Sequence, residues 1–316
     1  MARIKVITGR FFGHELRRSK MKFNYKNLVI GIAFTTLAVL LTITSGSLAI
    51  TAQTPATTDS AGGSTAPVRA ATDSETWKGW YVGVYGGGTF NRSDVATSTI
   101  YSSTGYLAQA SVTAINTAGV QQIKPNGFTG GGTFGYNHQT GALVVGAELD
   151  FGAMNANEGV SSGATYPCCS LTRFTINQAT KTRWLLTARP RLGVAVGNAM
   201  IYGTGGLAVT DVNYAATFTD TYANATESAA FKKNKAGWTL GGGAEFKIGS
   251  NWSVKGEYLY ADFGSTSVTS TNLNATSIVN RPENVFAPGV AYPTNIFTHS
   301  SDLRINNVRF GINYHF

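Results

Sequence analysis

The sequence predicts an all-β fold, an eight-stranded antiparallel transmembrane β-barrel with short periplasmic turns and four long extracellular loops. Three observations predict it. From Trp80 to Phe316, apolar side chains recur at alternate positions, the period of a strand with one face in an apolar medium. Eight such stretches can be counted, and a closed antiparallel barrel wants an even number. The connections between them alternate strictly between short and long, as they do in barrels that keep turns on one side of a membrane and loops on the other.

The first strand, about 80–91, sets Trp80, Val82, Val84 and Phe90 on one face. The second, about 127–137, carries Phe128, Phe134 and Tyr136. In the third, 142–154, Leu143, Val145, Ala147, Leu149 and Phe151 alternate with Val144, Gly146, Glu148 and Asp150. The fourth, 183–196, opposes Trp184, Leu186, Ala188, Leu192, Val194 and Val196 to Thr187, Arg189 and Arg191. The fifth, 199–210, has no clear phase. In the sixth, 236–248, Trp238, Leu240, Ala244, Phe246 and Ile248 face away from Glu245 and Lys247. The seventh, 251–262, sets Trp252, Val254, Tyr258 and Tyr260 against Lys255 and Glu257. The eighth ends the chain, with Val308, Phe310, Ile312, Tyr314 and Phe316 alternating with Arg309, Gly311, Asn313 and His315. Turns at His138–Gly141, Gly197-Asn198 and Gly249–Asn251 hold residues tolerant of positive φ. The long connections are 92–126, 155–182, 211–235 and 263–302. This alternation places both termini in the periplasm.

Energetics decide which face meets lipid. An arginine or lysine on the lipid side at midplane costs roughly 2–4 kcal/mol, so two would consume much of a typical stability of about 5–15 kcal/mol. Glu148, Asp150, Arg189, Arg191, Glu245, Lys247, Lys255, Glu257 and Arg309 are therefore expected inside, as a paired structural network. An eight-stranded barrel has room only for its own side chains. Glycine clusters at 86–88, 130–132 and 241–243 lack the Lys-Ser/Thr and following helix of a phosphate loop. They suit strand curvature and leave room for large inward neighbours such as Tyr81 and Tyr85. Pro190 in mid-strand removes a ladder donor and predicts a local bulge. Trp80, Trp184, Trp238, Trp252, Tyr258 and Tyr260 fall at strand ends, where interfacial aromatic girdles belong.

The rest of the chain reads as export and spacing. Charged residues are only 13% and glycines number 37, a composition that suits strands better than helices. The formal charge of +9 suggests nucleic acid until it is divided along the chain. Residues 1–52 hold eight basic residues against Glu15 alone, a net +7. Seventeen basic and fifteen acidic residues remain, a net +2, so a nucleic-acid partner loses its support. Lys20, Lys22 and Lys26 precede an uncharged run from Leu28 to Leu41, followed by small residues around Ser47–Ala52. This is the pattern of a cleaved signal peptide over 1–52, and its 14-residue apolar run is short of the roughly 20 a membrane helix needs. Met21 makes the better start, leaving 1–20 as a misassigned extension. Residues 53–76, rich in Ala, Thr, Ser, Pro and Gly, are expected to form a flexible periplasmic tail ahead of the barrel at 77–316. Cys168 and Cys169 are adjacent: a vicinal disulfide, a bond to another chain and free thiols all stay open, and no zinc spacing exists.

Several runs carry a resemblance to a known family. They are Trp77-Lys-Gly-Trp-Tyr-Val-Gly-Val-Tyr-Gly-Gly, Val145-Gly-Ala-Glu-Leu-Asp-Phe151, Arg191-Leu-Gly-Val194, Tyr202-Gly-Thr-Gly-Gly-Leu-Ala208, Lys255-Gly-Glu-Tyr-Leu-Tyr260 and the terminal Val308–Phe316. Over 77–316 the chain resembles the alphaproteobacterial outer-membrane β-barrel surface proteins, the porin-family, OmpA- and OmpX-like eight-stranded barrels. The resemblance implies a structural or surface role. It also implies an assembly signal in Phe310, Ile312, Tyr314 and Phe316, read by chaperones and the barrel assembly machinery. The tail, Pro190 and the cysteine pair depart from the pattern.

The expected function is that of a non-enzymatic outer-membrane barrel that supports envelope integrity and displays its loops. A narrow passive porin-like channel and a loop-mediated adhesin or receptor are the alternatives. Catalysis would need a histidine beside a serine or carboxylate at the outer rim. Only His299 sits in an outer segment, beside Ser300, Ser301 and Asp302, and adjacent loop residues are not a triad. No cofactor signature is present. The expected partners are outer-membrane lipids and lipopolysaccharide, the assembly machinery, and an unidentified surface ligand held by the loops.

Overall fold

The computed structural model describes residues 76–169, 171–275 and 289–316. The expected signal peptide over 1–52 and nearly all of the expected tail over 53–76 lie outside them. The described residues form twelve strands and one helix, all strands belonging to one antiparallel sheet. In chain order these are β1 (Gly79–Thr89), β2 (Ser93–Thr99), α1 (Gln109–Ala118), β3 (Val120–Ile123), β4 (Gly127–Thr140), β5 (Leu143–Thr165) and β6 (Arg173–Val196). There follow β7 (Ala199–Asp220), β8 (Ala225–Lys247), β9 (Trp252–Ser270), β10 (Asn274–Ala275), β11 (Val290–Ala291) and β12 (Phe297–His315). The sheet order is β11-β10-β8-β7-β6-β5-β4-β1-β12-β2-β3. Off that order, β9 pairs with both β8 and β12, so every long strand has a neighbour on each side.

The expectation of eight strands and four long loops is thereby corrected. β2, β3, β10 and β11 lie within stretches read as loops, as does α1. Two of the four expected loops are mostly strand. β5 and β6 run 23 and 24 residues and are joined across 166–172, and β7 and β8 are joined across 221–224. The reason is chemical. In the distal halves of these strands the inward residues are often small, such as Ala156, Ala164, Ala216 and Ala225, and the outward ones are Asn, Ser, Thr and Gly. Their ladders continue, but the contrast in polarity that marks a half-buried strand is gone.

The short turns sit near their expected places, with Gly141 and Gly197 both at φ +57°, where a Cβ would be strained. No register shift occurs at Pro190. It pairs with Ala147 on one side, and on the other the register is unchanged from Ala188↔Leu207 to Arg191↔Thr204. Its ring faces outward and its carbonyl accepts a hydrogen bond from Thr204 Oγ1 at 2.8 Å. The irregularities fall instead between Ala153 and Ala156, between Lys181 and Leu185, and between Asp302 and Arg304.

Candidate functional site: a filled interior

The inward face of the long strands carries the charges. β5 supplies Glu148 and Asp150, β6 Arg189 and Arg191, β8 Glu245, β9 Lys255 and Glu257, and β12 Arg309, all buried. Arg189 reaches Glu148 at 2.6 Å and Asp150 at 2.8 Å through Nη2, and Glu257 at 3.0 Å through Nη1. Arg309 binds Glu257 at 2.5 Å and Asp150 at 2.9 Å. Lys255 Nζ binds Glu148 at 2.8 Å, and Arg191 Nη2 binds Glu245 at 2.8 Å. Four carboxylates thus meet four cations, and each charge has an opposite partner, which is what makes such burial tolerable. Lys247 stands apart: its Nζ lies 5.4 Å from the Trp77 ring centroid and 3.5 Å from the Ser250 carbonyl.

Neutral residues complete this layer: Tyr81 was expected to face inward, while Tyr202 and Ser253 were not singled out from the sequence. Tyr81 OH donates to Glu148 and accepts from Arg191, both at 2.8 Å. The Tyr202 ring lies 3.9 Å from the Arg191 guanidinium carbon, and its hydroxyl donates to Glu257 at 3.2 Å. Ser253 and Asn313 donate to Glu245 at 2.5 and 2.7 Å. Below them the fully buried Trp77 packs edge-on against His315. A signal for these residues existed, since Tyr81, Ser253, Asn313 and His315 share the inward parity of the charged positions on their strands.

Farther along the strands an apolar belt includes Val95, Met154, Leu185, Val212, Phe263 and Ile305. A polar layer follows it. His299 was expected in a loop; it is fully buried on β12, with Nδ1 2.9 Å from Thr97 Oγ1 and Nε2 3.2 Å from Glu227 Oε1. Gln178 accepts from Thr97 at 3.1 Å and from Tyr214 at 2.7 Å. The distal end is closed by α1, whose Val112 and Ile115 join Phe174, Phe218, Leu273 and Phe297 in an apolar cluster. At its edge Asp220 accepts hydrogen bonds from Tyr106 at 2.7 Å and Tyr166 at 3.0 Å. Burial and the Asp220 charge hold both hydroxyls well above the usual tyrosine value, so both remain donors. Cys168 and Cys169, in the turn beside this cluster, are bonded to each other. Among the described residues no group of three or more His, Cys, Asp or Glu is arranged to hold a metal ion.

The outward face reverses the pattern. Val84, Phe134, Leu149, Leu192, Leu240 and Ile312 are exposed around the sheet, each about half or more. At one end of this band Trp80 packs on Phe134 and Tyr136, and Tyr314 on Trp252 and Phe316. At the other, Trp184 packs with Phe151 and Trp238 with Tyr260. From Leu143 to Phe151 the outward apolar run of β5 covers nine residues, within the roughly 9–11 that a tilted strand needs to cross a bilayer.

An apolar outer band between aromatic rims, around an ion-paired interior, defines an integral outer-membrane β-barrel protein. The chain belongs to the outer membrane protein beta-barrel domain family, which it matches over residues 56–316. It is 36% identical over 212 residues to the 31 kDa outer-membrane immunogenic protein of Brucella melitensis, covering 66% of this chain and 80% of that one. It is 28% identical over 200 residues to a 22 kDa outer membrane protein of Rhizobium leguminosarum, covering 63% of this chain and 69% of that one. Among solved structures it is similar to the attachment invasion locus protein of Yersinia pestis at 12% identity, covering 76% and 99% of the two chains with a TM-score of 0.29. A likeness of that size carries no argument.

Proposed function

We propose that this protein is a non-catalytic envelope component that stabilises the outer membrane and displays its distal hairpins at the cell surface, with both termini in the periplasm. The observation that carries the reading is the filled interior. The ion-paired layer, the apolar belt, the His299 layer and the α1 cap succeed one another along the strands. Such packing opposes the channel reading. The buried position of His299 and Thr97 likewise opposes a catalytic one, since a nucleophile must meet its substrate. Surface display is supported by strands that continue well past the apolar band, and it agrees with the immunogenic character named for the Brucella relative.

The proposed partners are outer-membrane lipids and lipopolysaccharide around the band, and the barrel assembly machinery at β12. For the latter, Phe310 and Ile312 face outward on the strand that pairs with both β1 and β9, and the exposed Phe316 follows its last residue. Planar-bilayer recording tests the reading: no steady current is expected, and a stable open conductance would overturn it. Antibody binding on intact cells to an epitope inserted at 221–224 tests the orientation. Binding only after permeabilisation would reverse it.

A further inference from the structure

Beyond the apolar band, the outer surface of β5–β8 carries an ordered row of polar side chains. Asn157 pairs with Lys181, Lys181 with Asn213, and Asn213 with Lys232, so the four stand side by side on four adjacent strands. The row lines a concavity of about 530 Å³ whose other walls include Ala179 and Ala230. Two of the sheet's irregularities, at Ala153/Ala156 and Lys181/Leu185, lie immediately on the membrane side of the row. Bulges increase local twist and re-aim side chains, which accounts for a hollow at this place.

Two neighbouring cations are engaged elsewhere. Arg183 pairs with Asp211 at 2.8 Å, and Lys235 Nζ donates to the Ser265 carbonyl at 2.6 Å. Among the described residues no ion pair holds Lys181 or Lys232. They are two strand spacings apart, roughly 10 Å, with Asn213 between them; its Nδ2 donates to Asp211 at 2.8 Å, which leaves its Oδ1 to accept from a hydroxyl. Of the carboxylates beside the row, Asp211 is ion-paired with Arg183, and Glu158 falls on the alternate face of β5, the face from which Val160 packs against the apolar belt.

The height of the row above the band selects its occupant. Lys181 lies three residues beyond Trp184, Asn157 six beyond Phe151 and Lys232 six before Trp238, about 10–20 Å along the strands. With strands tilted by about 40°, this is the headgroup level and just above it. Protein side chains at that level meet anionic, sugar-bearing headgroups if the distal hairpins face outward. We propose that Lys181 and Lys232, with Asn157 and Asn213, bind the phosphorylated sugar headgroup of an outer-leaflet glycolipid: the ammonium groups hold phosphate and the amides hold hydroxyls. This rests on the orientation proposed above.

The test uses the full chain in phosphatidylcholine vesicles containing purified lipopolysaccharide, the same lipopolysaccharide dephosphorylated, or phosphatidylglycerol. Affinity is read by competition with a labelled lipopolysaccharide, after heat-modifiable migration has established folding. Lys181→Gln/Lys232→Gln should weaken lipopolysaccharide binding about thirtyfold, and Lys181→Arg/Lys232→Arg should keep it. The unaltered protein should lose a similar factor toward the dephosphorylated lipid, a result that needs no variant to fold. Unchanged binding in the glutamine variant, or an equal loss toward phosphatidylglycerol, would overturn the site. The epitope experiment separates the two failures: surface exposure with no loss of binding ends the site alone, whereas a periplasmic epitope ends the orientation.

Discussion

Arg309 and Asp150 meet in a two-point contact, Nη1 to Oδ1 at 2.9 Å and Nη2 to Oδ2 at 3.1 Å, although β12 and β5 are not neighbours in the sheet. The pair therefore ties opposite parts of the sheet through the interior. Arg309 also holds Glu257, and Asp150 also holds Arg189, so the contact is one link in a closed set. Removing one member of a buried pair leaves an uncompensated charge and costs roughly 3–5 kcal/mol. Arg309→Met should lower stability by about that much in urea unfolding from vesicles. Arg309→Met/Asp150→Asn should cost less than the sum of the two single changes, because Arg189 and Glu257 stay paired with each other at 3.0 Å. Strict additivity would show that the four groups do not act together.

Several glycines make room for this layer, Gly135 for the Tyr81 ring, Gly152 for the Tyr85 hydroxyl and Gly243 for the Tyr202 hydroxyl. A Cβ built on Gly135 would lie 2.3 Å from the Tyr81 ring, while one on Gly86 meets nothing within 4 Å. Gly135→Ala should then cost about 1–3 kcal/mol through overpacking, and Gly86→Ala should change little. Equal unfolding midpoints for the two variants would show that Tyr81 can move aside.

The legible part of this fold was its membrane half. Leu143 to Phe151 alternate cleanly because lipid rewards one face and the ion-paired interior the other, so the inward carboxylates of β5 could be named from parity. The distal half has water outside, and inside it small and polar residues such as Ala156, Ala164, Gln178 and Thr180 interrupt the large apolar ones, so neither face stands out. That is why 155–182 and 211–235 read as loops, and why His299 was assigned to one. The phase of β7 was hidden by Gly203, Gly205 and Gly206, which leave Met200, Tyr202 and Ala208 as its inward apolar residues between Ala199 and Thr210. Pro190 misled in the other direction: its outward ring removes a donor without changing the register.

Asp211, four residues past the outward Leu207, gives a pH signature outside the band. Burial alone would raise its carboxyl, but hydrogen bonds from the Arg183 side chain and backbone, Asn213 and the Trp184 amide hold it below the usual aspartate value. A depressed folded-state value means the stabilisation is complete above the unfolded value, about pH 4, and is lost as pH falls through the folded one. Asp211→Asn should cost roughly 1 kcal/mol at neutral pH, Arg183 being half in solvent. The difference from the unaltered protein should shrink as pH drops below 4. A gap that stays constant to pH 2 would mean the carboxylate charge does not matter.

Asp220 ties the parts of the distal cap together. Its Oδ2 accepts from Tyr106 and Tyr166, and its Oδ1 accepts from the backbone of Ala223 at 3.3 Å and Ala225 at 2.9 Å. One carboxylate thus joins the segment before α1, the end of β5 and the β7–β8 turn. Asp220→Ala removes both acceptor oxygens of these four bonds and leaves buried donors unsatisfied, each costing about 1–3 kcal/mol. The ion-paired layer lies at the other end of the strands and shares none of these partners, so the membrane-embedded part should stay folded. The expected result is therefore local: protease cleavage in the 221–224 turn or in the segment before α1 should rise sharply, while heat-modifiable migration and its midpoint stay close to those of the unaltered protein. A large fall in that midpoint would mean that the cap and the membrane band unfold as one unit.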